Sequence, residues 1–245
     1  MSVPQAGCYK SGIETHEARI IIGKKLGWST LRCVREDHLD PTSTSDTFAS
    51  RDAKKNIQKC SQSGTTVTKH HVLPDVTDRE EIDRGIKSWM ASRRGWQVAT
   101  DSLRPWLDHR HRIYFIARQQ GKIVGLTILS KINNGFVVKN CITFPSSPKG
   151  CSELMLSTTI TDARVTGVRL LTFSASAAER LEPIDNLSGW KVNFLSTIFH
   201  QIASKAGLSK RHTFRAKSGA RDAPLYVAFS SEAPPGLSAI YKLMK

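Results

Sequence analysis

The sequence contains no run of about 18 or more apolar residues, so a membrane-spanning helix is not expected. Its opening residues, MSVPQAGCYK, lack the apolar core of a secretory signal. Cysteine is sparse: Cys8, Cys33, Cys60, Cys141 and Cys151 are odd in number, scattered, and form no C-x-x-C pair. That pattern argues against a disulfide framework or a zinc site and for reduced intracellular thiols. His70-His71 and His109-x-His111 lack a third ligand partner, so no metal is expected there either. Short repeats and low-complexity segments are absent. Acidic residues are in deficit: 21 Asp and Glu face 36 Lys and Arg, giving a net charge of +15 and a pI near 9.9. A simply basic soluble protein has this balance, and so does a protein with a polyanionic partner, either nucleic acid or an anionic membrane surface.

What remains is globular in character. The 245 residues are 39% apolar and 23% charged, enough for one large domain or two small ones. The chain is organised around Tyr114 to Glu153. There YFIARQQ and IVGLTILSK flank a Gly-Lys turn, and a turn containing Asn134-Gly135 leads to FVVKNCITF. These read as three strands joined by hairpins. The loop PSSPKG follows, and Ser152 with Glu153 marks a helix start, predicted over 152–166. Strands, glycine loop and helix N-terminus together present backbone N–H groups to an anion or a polarised carbonyl.

Upstream, residues 12–27 fit a helix ended by Gly27, and WSTLRCV a strand. HLDPTSTSDTF reads as a loop and linker. Ser50 to Ser61 form a helix carrying Arg51, Lys54, Lys55 and Lys59, either a solvated face or a contact to phosphate backbone. TTVTKHHV reads as a strand. Residues 77–94 form a helix with Ile82, Ile86, Trp89 and Met90 on one face. Trp96 and Trp106, near arginines, suit partly buried packing, base stacking or a lipid groove. Downstream, VRLLTFSAS is a strand and AERLEPIDNLSG a loop. A helix from Trp190 has Phe194, Ile198 and Ile202 on one face, and PLYVAF is the last strand. From about residue 77 this order gives an α/β mixed sheet with helices on its faces.

That order is also the order of the Gcn5-related N-acyltransferase fold. The acetyl-CoA signature of that fold aligns with Ser147, Gly150 and Ser152, and its first and last positions do not match. The run from Trp89 to Phe229 resembles the C-terminal domain of bacterial phosphatidylglycerol lysyltransferases. It is still more similar to fungal relatives that attach an amino acid to ergosterol. The matching pieces are GWQVATDSLRPWL, YFIAR…GKIVGL, VKNCITFPSSPKGCSEL, LLTFSASA, NLSGWKVNFL and KRHTFRAKSG…PLYVAF. The resemblance implies one complete acyltransferase-like domain over 76–232, preceded by a partial first lobe and linker over 1–75 and followed by a tail over 233–245. It departs at Ser218, where the family carries a second aromatic after Phe214, Arg215 and Lys217, and at Ser174 after Thr172 and Phe173.

The implied activity is transfer of an aminoacyl group from aminoacyl-tRNA to a lipid hydroxyl, of a sterol or of phosphatidylglycerol. Aminoacyl-tRNA would be the co-substrate, with no other cofactor. An aminoacyl-tRNA synthetase is an implied partner, and a cytoplasmic or membrane-peripheral location is implied. An ordinary acetyltransferase and an inactive RNA- or membrane-binding remnant are the competing expectations. Such ester exchange needs a base, donors to the developing oxyanion and a cationic seat for the tRNA end. On a strand, Arg215 and Lys217 point to the same side. With Arg211, Phe214, Lys149, Gly150 and Ser152 they are the expected substrate-binding set, the alternative being a solvated basic edge. Glu153 and Asp101 are candidates to accept a proton or hold the ammonium, with Lys217 beside them. Asn140 is a candidate donor to the ester carbonyl, as are the N–H groups of Lys149 to Ser152. His200 and His212 are further possible bases.

Overall fold

A computed structural model describes residues 20–43, 47–92, 103–205 and 214–229. The strands are β1 (Ser29–Leu39), β2 (Thr65–His70), β3 (Arg112–Gln119), β4 (Lys122–Ile132), β5 (Gly135–Thr143), β6 (Leu171–Asp185) and β7 (Arg221–Phe229). The helices are α1 (Arg51–Gln62), α2 (Val76–Ser92), α3 (Cys151–Val165) and α4 (Trp190–Lys205). A π-helical turn covers Ile21–Lys25. The strands form one mixed sheet in the order β2-β3-β4-β5-β6-β1-β7. This is the mixed α/β sheet with helices on its faces expected from the element order.

The three central hairpin strands form as read. Gln120 and Gly121 both have positive φ and make the two-residue loop between β3 and β4. A pair of positive φ values matches the twist of the flanking strands. Along β3, Phe115 and Ala117 pack with α1 and α3, while Tyr114 and Ile116 pack with α2. Alternation therefore places α1 and α3 on one face and α2 on the other. Helix α4 packs through Val192 and Phe199 in a cluster with Leu31 and Cys33 of β1, Leu181 of β6 and Val227 of β7.

Two readings are corrected. Strand β6 runs on to Asp185, through most of the segment read as a loop, because β1 pairs with it from Leu39 back to Thr30 across three register shifts. On α4 the buried side chains are Val192 and Phe199, whereas Phe194 is 58% exposed. Helical spacing gives that helix two apolar stripes, and packing on β1 selects the other one. The boundary drawn between residues 75 and 76 does not interrupt the sheet. Strand β1 lies between β6 and β7 and pairs with both, β2 pairs with β3, and α1 packs against α3. The segment 12–19 and the tail 233–245 lie outside the described residues.

The first-face core holds one strained residue. Phe48 has φ +56 yet is 0% exposed, wedged among Ala53, Leu156, Ile160 and Phe173. A bulky side chain in the left-handed region persists only where packing over-determines it. Phe48→Ala should therefore lower unfolding stability by about 4 kcal/mol. Urea unfolding followed by circular dichroism measures this, and a loss well under half of that would show that the site repacks.

Candidate functional site

The site begins where the sheet divides. Strands β5 and β6 are parallel and pair only at Phe136 with Leu171 and Val137 with Thr172. Beyond that apex β5 stays with β4 and β6 stays with β1. A fork opens between residues 138–143 and the run of β6 from Phe173. At the apex the hydroxyl of Thr172 is buried and has no hydrogen-bond partner.

The loop after β5 leads to the α3 N-terminus. Gly150 is its N-cap residue, at φ +92, and no side chain caps the helix. Cys151 N–H donates to the Pro148 carbonyl at 3.2 Å and Leu154 N–H to the Gly150 carbonyl at 2.9 Å. The N–H groups of Ser152 and Glu153 have no such acceptor among the described residues. These are the free donors expected of a helix start. Glycine at 150 has a second reason. A Cβ there would stand 2.3 Å from the Asn56 carbonyl oxygen, so α1 lies directly on the loop. Glu153 closes the same junction: its carboxylate accepts from Ser152 Oγ at 2.8 Å and from Asn56 Nδ2 at 3.4 Å.

Helix α1 is amphipathic by construction. Ala53 and Cys60 are buried and Ile57 packs on the core, while Arg51, Lys54, Lys55 and Lys59 are exposed. With exposed Lys149 they form a cationic border beside the loop. No helix among the described residues is long and apolar enough to cross a membrane. Exposed aromatic surface appears instead at Trp190 and Phe194, one turn apart on α4.

The opposite side of the fork is covered by residues 214–217. These form a helical turn, not a strand, so Arg215 and Lys217 do not share a strand face. Ser218, fully buried, donates from Oγ to the Arg215 carbonyl at 2.6 Å and closes the turn. Phe214 packs on Phe48, with ring centroids 6.1 Å apart. Arg215 lies over the Phe173 ring and pairs with Asp37 at 2.9 Å. Asp37 is 1% exposed, so the Arg215 guanidinium neutralises a buried carboxylate from β1. Lys217 is exposed.

Gly150, Ser152, Glu153 and Lys149 are thus together at the loop, and Phe214, Arg215 and Lys217 together on the turn. Asn140 is separated from Glu153. It pairs in register with Ile128, whereas Cys141, the next residue, packs under α3 on the other face. Asp101, Arg211, His212 and Trp96 lie outside the described residues. Trp106 is half-buried, donating to Asp83 Oδ1 at 3.0 Å and packing on Tyr114. Sequence reasoning missed Asp37. The charge-rich run Arg35-Glu36-Asp37 inside an apolar-alternating strand was the available signal.

Burial holds the thiols near the loop in their protonated form. A cysteine at a helix N-terminus is ordinarily acidified. Burial overrides this at Cys151, which is pushed up to about 12, with neighbouring Cys60 and Cys141 adding to the rise. Burial likewise raises Cys141 to about 11, against a hydrogen bond from Thr127.

No family model matches the sequence, and no curated protein matches it. Solved structures do. The C-terminal domain of a protein named as a lysylphosphatidylglycerol synthetase from Agrobacterium fabrum superposes with a TM-score of 0.62 at 16% identity, over 90% of this chain and 66% of that one. The L-PGS of Bacillus licheniformis superposes with a TM-score of 0.64 at 12% identity, over 94% of this chain and 68% of that one. The chain has the lysylphosphatidylglycerol synthetase C-terminal fold. It spans about two thirds of the length of these structures, and at such identity the likeness concerns the fold alone.

Two outcomes follow from the site's chemistry. Arg215→Ala should cost about 3 kcal/mol by removing a charged partner of the buried Asp37 carboxylate, and Asp37→Asn combined with Arg215→Met should recover part of it. Chemical denaturation of the single and double variants checks this; equal loss in both would remove the ion pair as the cause. At pH 8 a thiol with a pKa of about 12 is ionised in about one molecule in ten thousand. Ellman's reagent should therefore leave Cys151 and Cys141 unmodified until urea unfolds the chain, as read by peptide mass spectrometry.

Proposed function

We propose that the protein transfers an aminoacyl group from aminoacyl-tRNA to a lipid hydroxyl. The observation that carries this is the junction of a forked sheet, an uncapped helix N-terminus and a cationic helix lying on the same loop. Free N–H groups at the α3 start supply donors for the oxyanion that develops when a hydroxyl attacks an ester carbonyl. The exposed cations of α1 supply the sequence-independent attraction that an RNA backbone needs. Glu153, held by two uncharged donors, would accept the hydroxyl proton or hold the aminoacyl ammonium. Lys217 and Lys149 are the remaining exposed cations of the proposed substrate set. Arg215 acts there by fixing the turn through Asp37.

The lipid acceptor is supported by the fold likeness, since one neighbour is named a lysylphosphatidylglycerol synthetase and the other L-PGS. The sterol acceptor rests on the sequence resemblance. Exposed Trp190 and Phe194 suit contact with a membrane surface, where amphipathic aromatic rings settle.

A transfer assay tests the reading. Purified protein is mixed with a charged tRNA pool and vesicles containing both ergosterol and phosphatidylglycerol, and the extracted lipids are analysed by mass spectrometry. A ribonuclease-sensitive aminoacyl lipid is expected, and its identity selects the acceptor. Replacing Lys54 and Lys55 with Gln should reduce the salt dependence of tRNA binding by about two in log–log slope. Absence of any aminoacyl lipid, or turnover of acetyl-CoA instead, would overturn the proposal.

A further inference from the structure

Arg35 lies in the middle of β1 and is only 7% exposed. Its Nε and Nη2 are buried and have no hydrogen-bond partner. An arginine guanidinium carries a fixed positive charge and five N–H donors. Its described neighbours do not relieve that charge. In register it stands between Ser176 of β6 and Pro224 of β7, and proline offers no polar side chain. Asp37, two residues on and on the same face, is engaged by Arg215. Asp222, opposite Asp37 on β7, is exposed and not bonded to Arg35. A buried charge without a counter-charge is costly, and a bound anion would offset that cost.

We propose that Arg35 is the seat of a single phosphate group, supplied by the headgroup of the acceptor or by free phosphate. Nε–H and Nη2–H lie along one edge of a guanidinium and match two oxygens of a phosphate. The position suits this. Strand β1 lies directly behind β6, one arm of the fork, so Arg35 is one strand spacing, roughly 5 Å, from it. Arg35 shares the phase of Asp37 and Leu39, and hence the face of α3 and of the turn 214–217. One enclosed cation fits one phosphodiester; a polyanionic RNA is matched by the open face of α1. The choice of a lipid headgroup as source rests on the transferase reading, and the anion site does not.

Calorimetric titration and thermal melting of the whole chain test it, with inorganic phosphate, glycerophosphoglycerol and uncharged glycerol as probes. At least one phosphate probe should bind saturably and raise Tm, glycerol should do neither, and Arg35→Met should bind at least ten-fold more weakly. Arg32→Met, on the same strand and half-exposed, should bind as the parent does. Tighter glycerophosphoglycerol assigns the headgroup as source, and tighter inorganic phosphate assigns the free ion. No saturable binding of either, or equal binding by Arg35→Met, overturns the site. If Arg35→Met does not fold, a crystal soaked with glycerophosphoglycerol decides: phosphate against Arg35 supports the site, and phosphate elsewhere or nowhere overturns it. Loss of transfer with intact phosphate binding would sink the proposed function and leave this site standing. The converse would remove this site alone.

Discussion

The short seam between β5 and β6 is the constraint on which the molecule depends. Two residue pairs hold together two antiparallel blocks, β2-β3-β4-β5 and β6-β1-β7. Each strand at the seam is committed to its own block: β5 to β4 along its whole length, β6 to β1 from Leu171 to Asp185. Register shifts along the β6–β1 ladder increase local twist and turn that block away. The fork is therefore a consequence of pairing preferences on either side of it. Its inner edges carry backbone N–H and carbonyl groups without a partner strand, which suits a polar ligand laid along them.

Strand β1 brings charge to the middle of a sheet. A strand paired on both edges and covered on both faces ordinarily reads as an apolar run. This one places Arg35 and Asp37 on the covered face, between Cys33 and Leu39. Asp37 is neutralised by Arg215, which also fixes the turn 214–217 over Phe173. One carboxylate from the start of the sheet thereby positions a segment 178 residues away in sequence. The turn's place follows from electrostatics and aromatic packing together, because Phe214 on Phe48 and Arg215 on Asp37 act at adjacent residues.

Much of the local structure was legible in the sequence, since it is set by near neighbours. The β3–β4 hairpin follows from Gly121, the α3 start from Gly150, and the amphipathic α1 from the spacing of Ala53, Ile57 and Cys60. What escaped was decided at long range. The charges of β1 suggest an exposed strand, and only pairing with β6 and β7 buries it. The pair Phe214-Arg215 suggests a strand in sequence, yet Ser218 closing on the Arg215 carbonyl makes residues 214–217 helical. On α4, Val192 and Phe194 compete for the core, and neither propensity nor period distinguishes them. Asn140 and Glu153 are close in sequence, but strand alternation sends Asn140 to the face opposite α3.

The junction of α1 with the loop couples the two halves of the proposed site mechanically. Asn56 touches it twice: its carbonyl fills the space a side chain at residue 150 would need, and its amide holds the Glu153 carboxylate. Close-packed contacts of this kind transmit displacement with little slack. In the proposed reaction, a polyanion drawn along the cations of α1 is thereby held beside the N–H groups of α3 that meet its ester. The same contact explains why glycine is needed at a position where a capping Ser or Asp would otherwise be preferred. A side chain there would satisfy an α3 N–H and part the basic helix from the loop, removing both the free donor and the coupling.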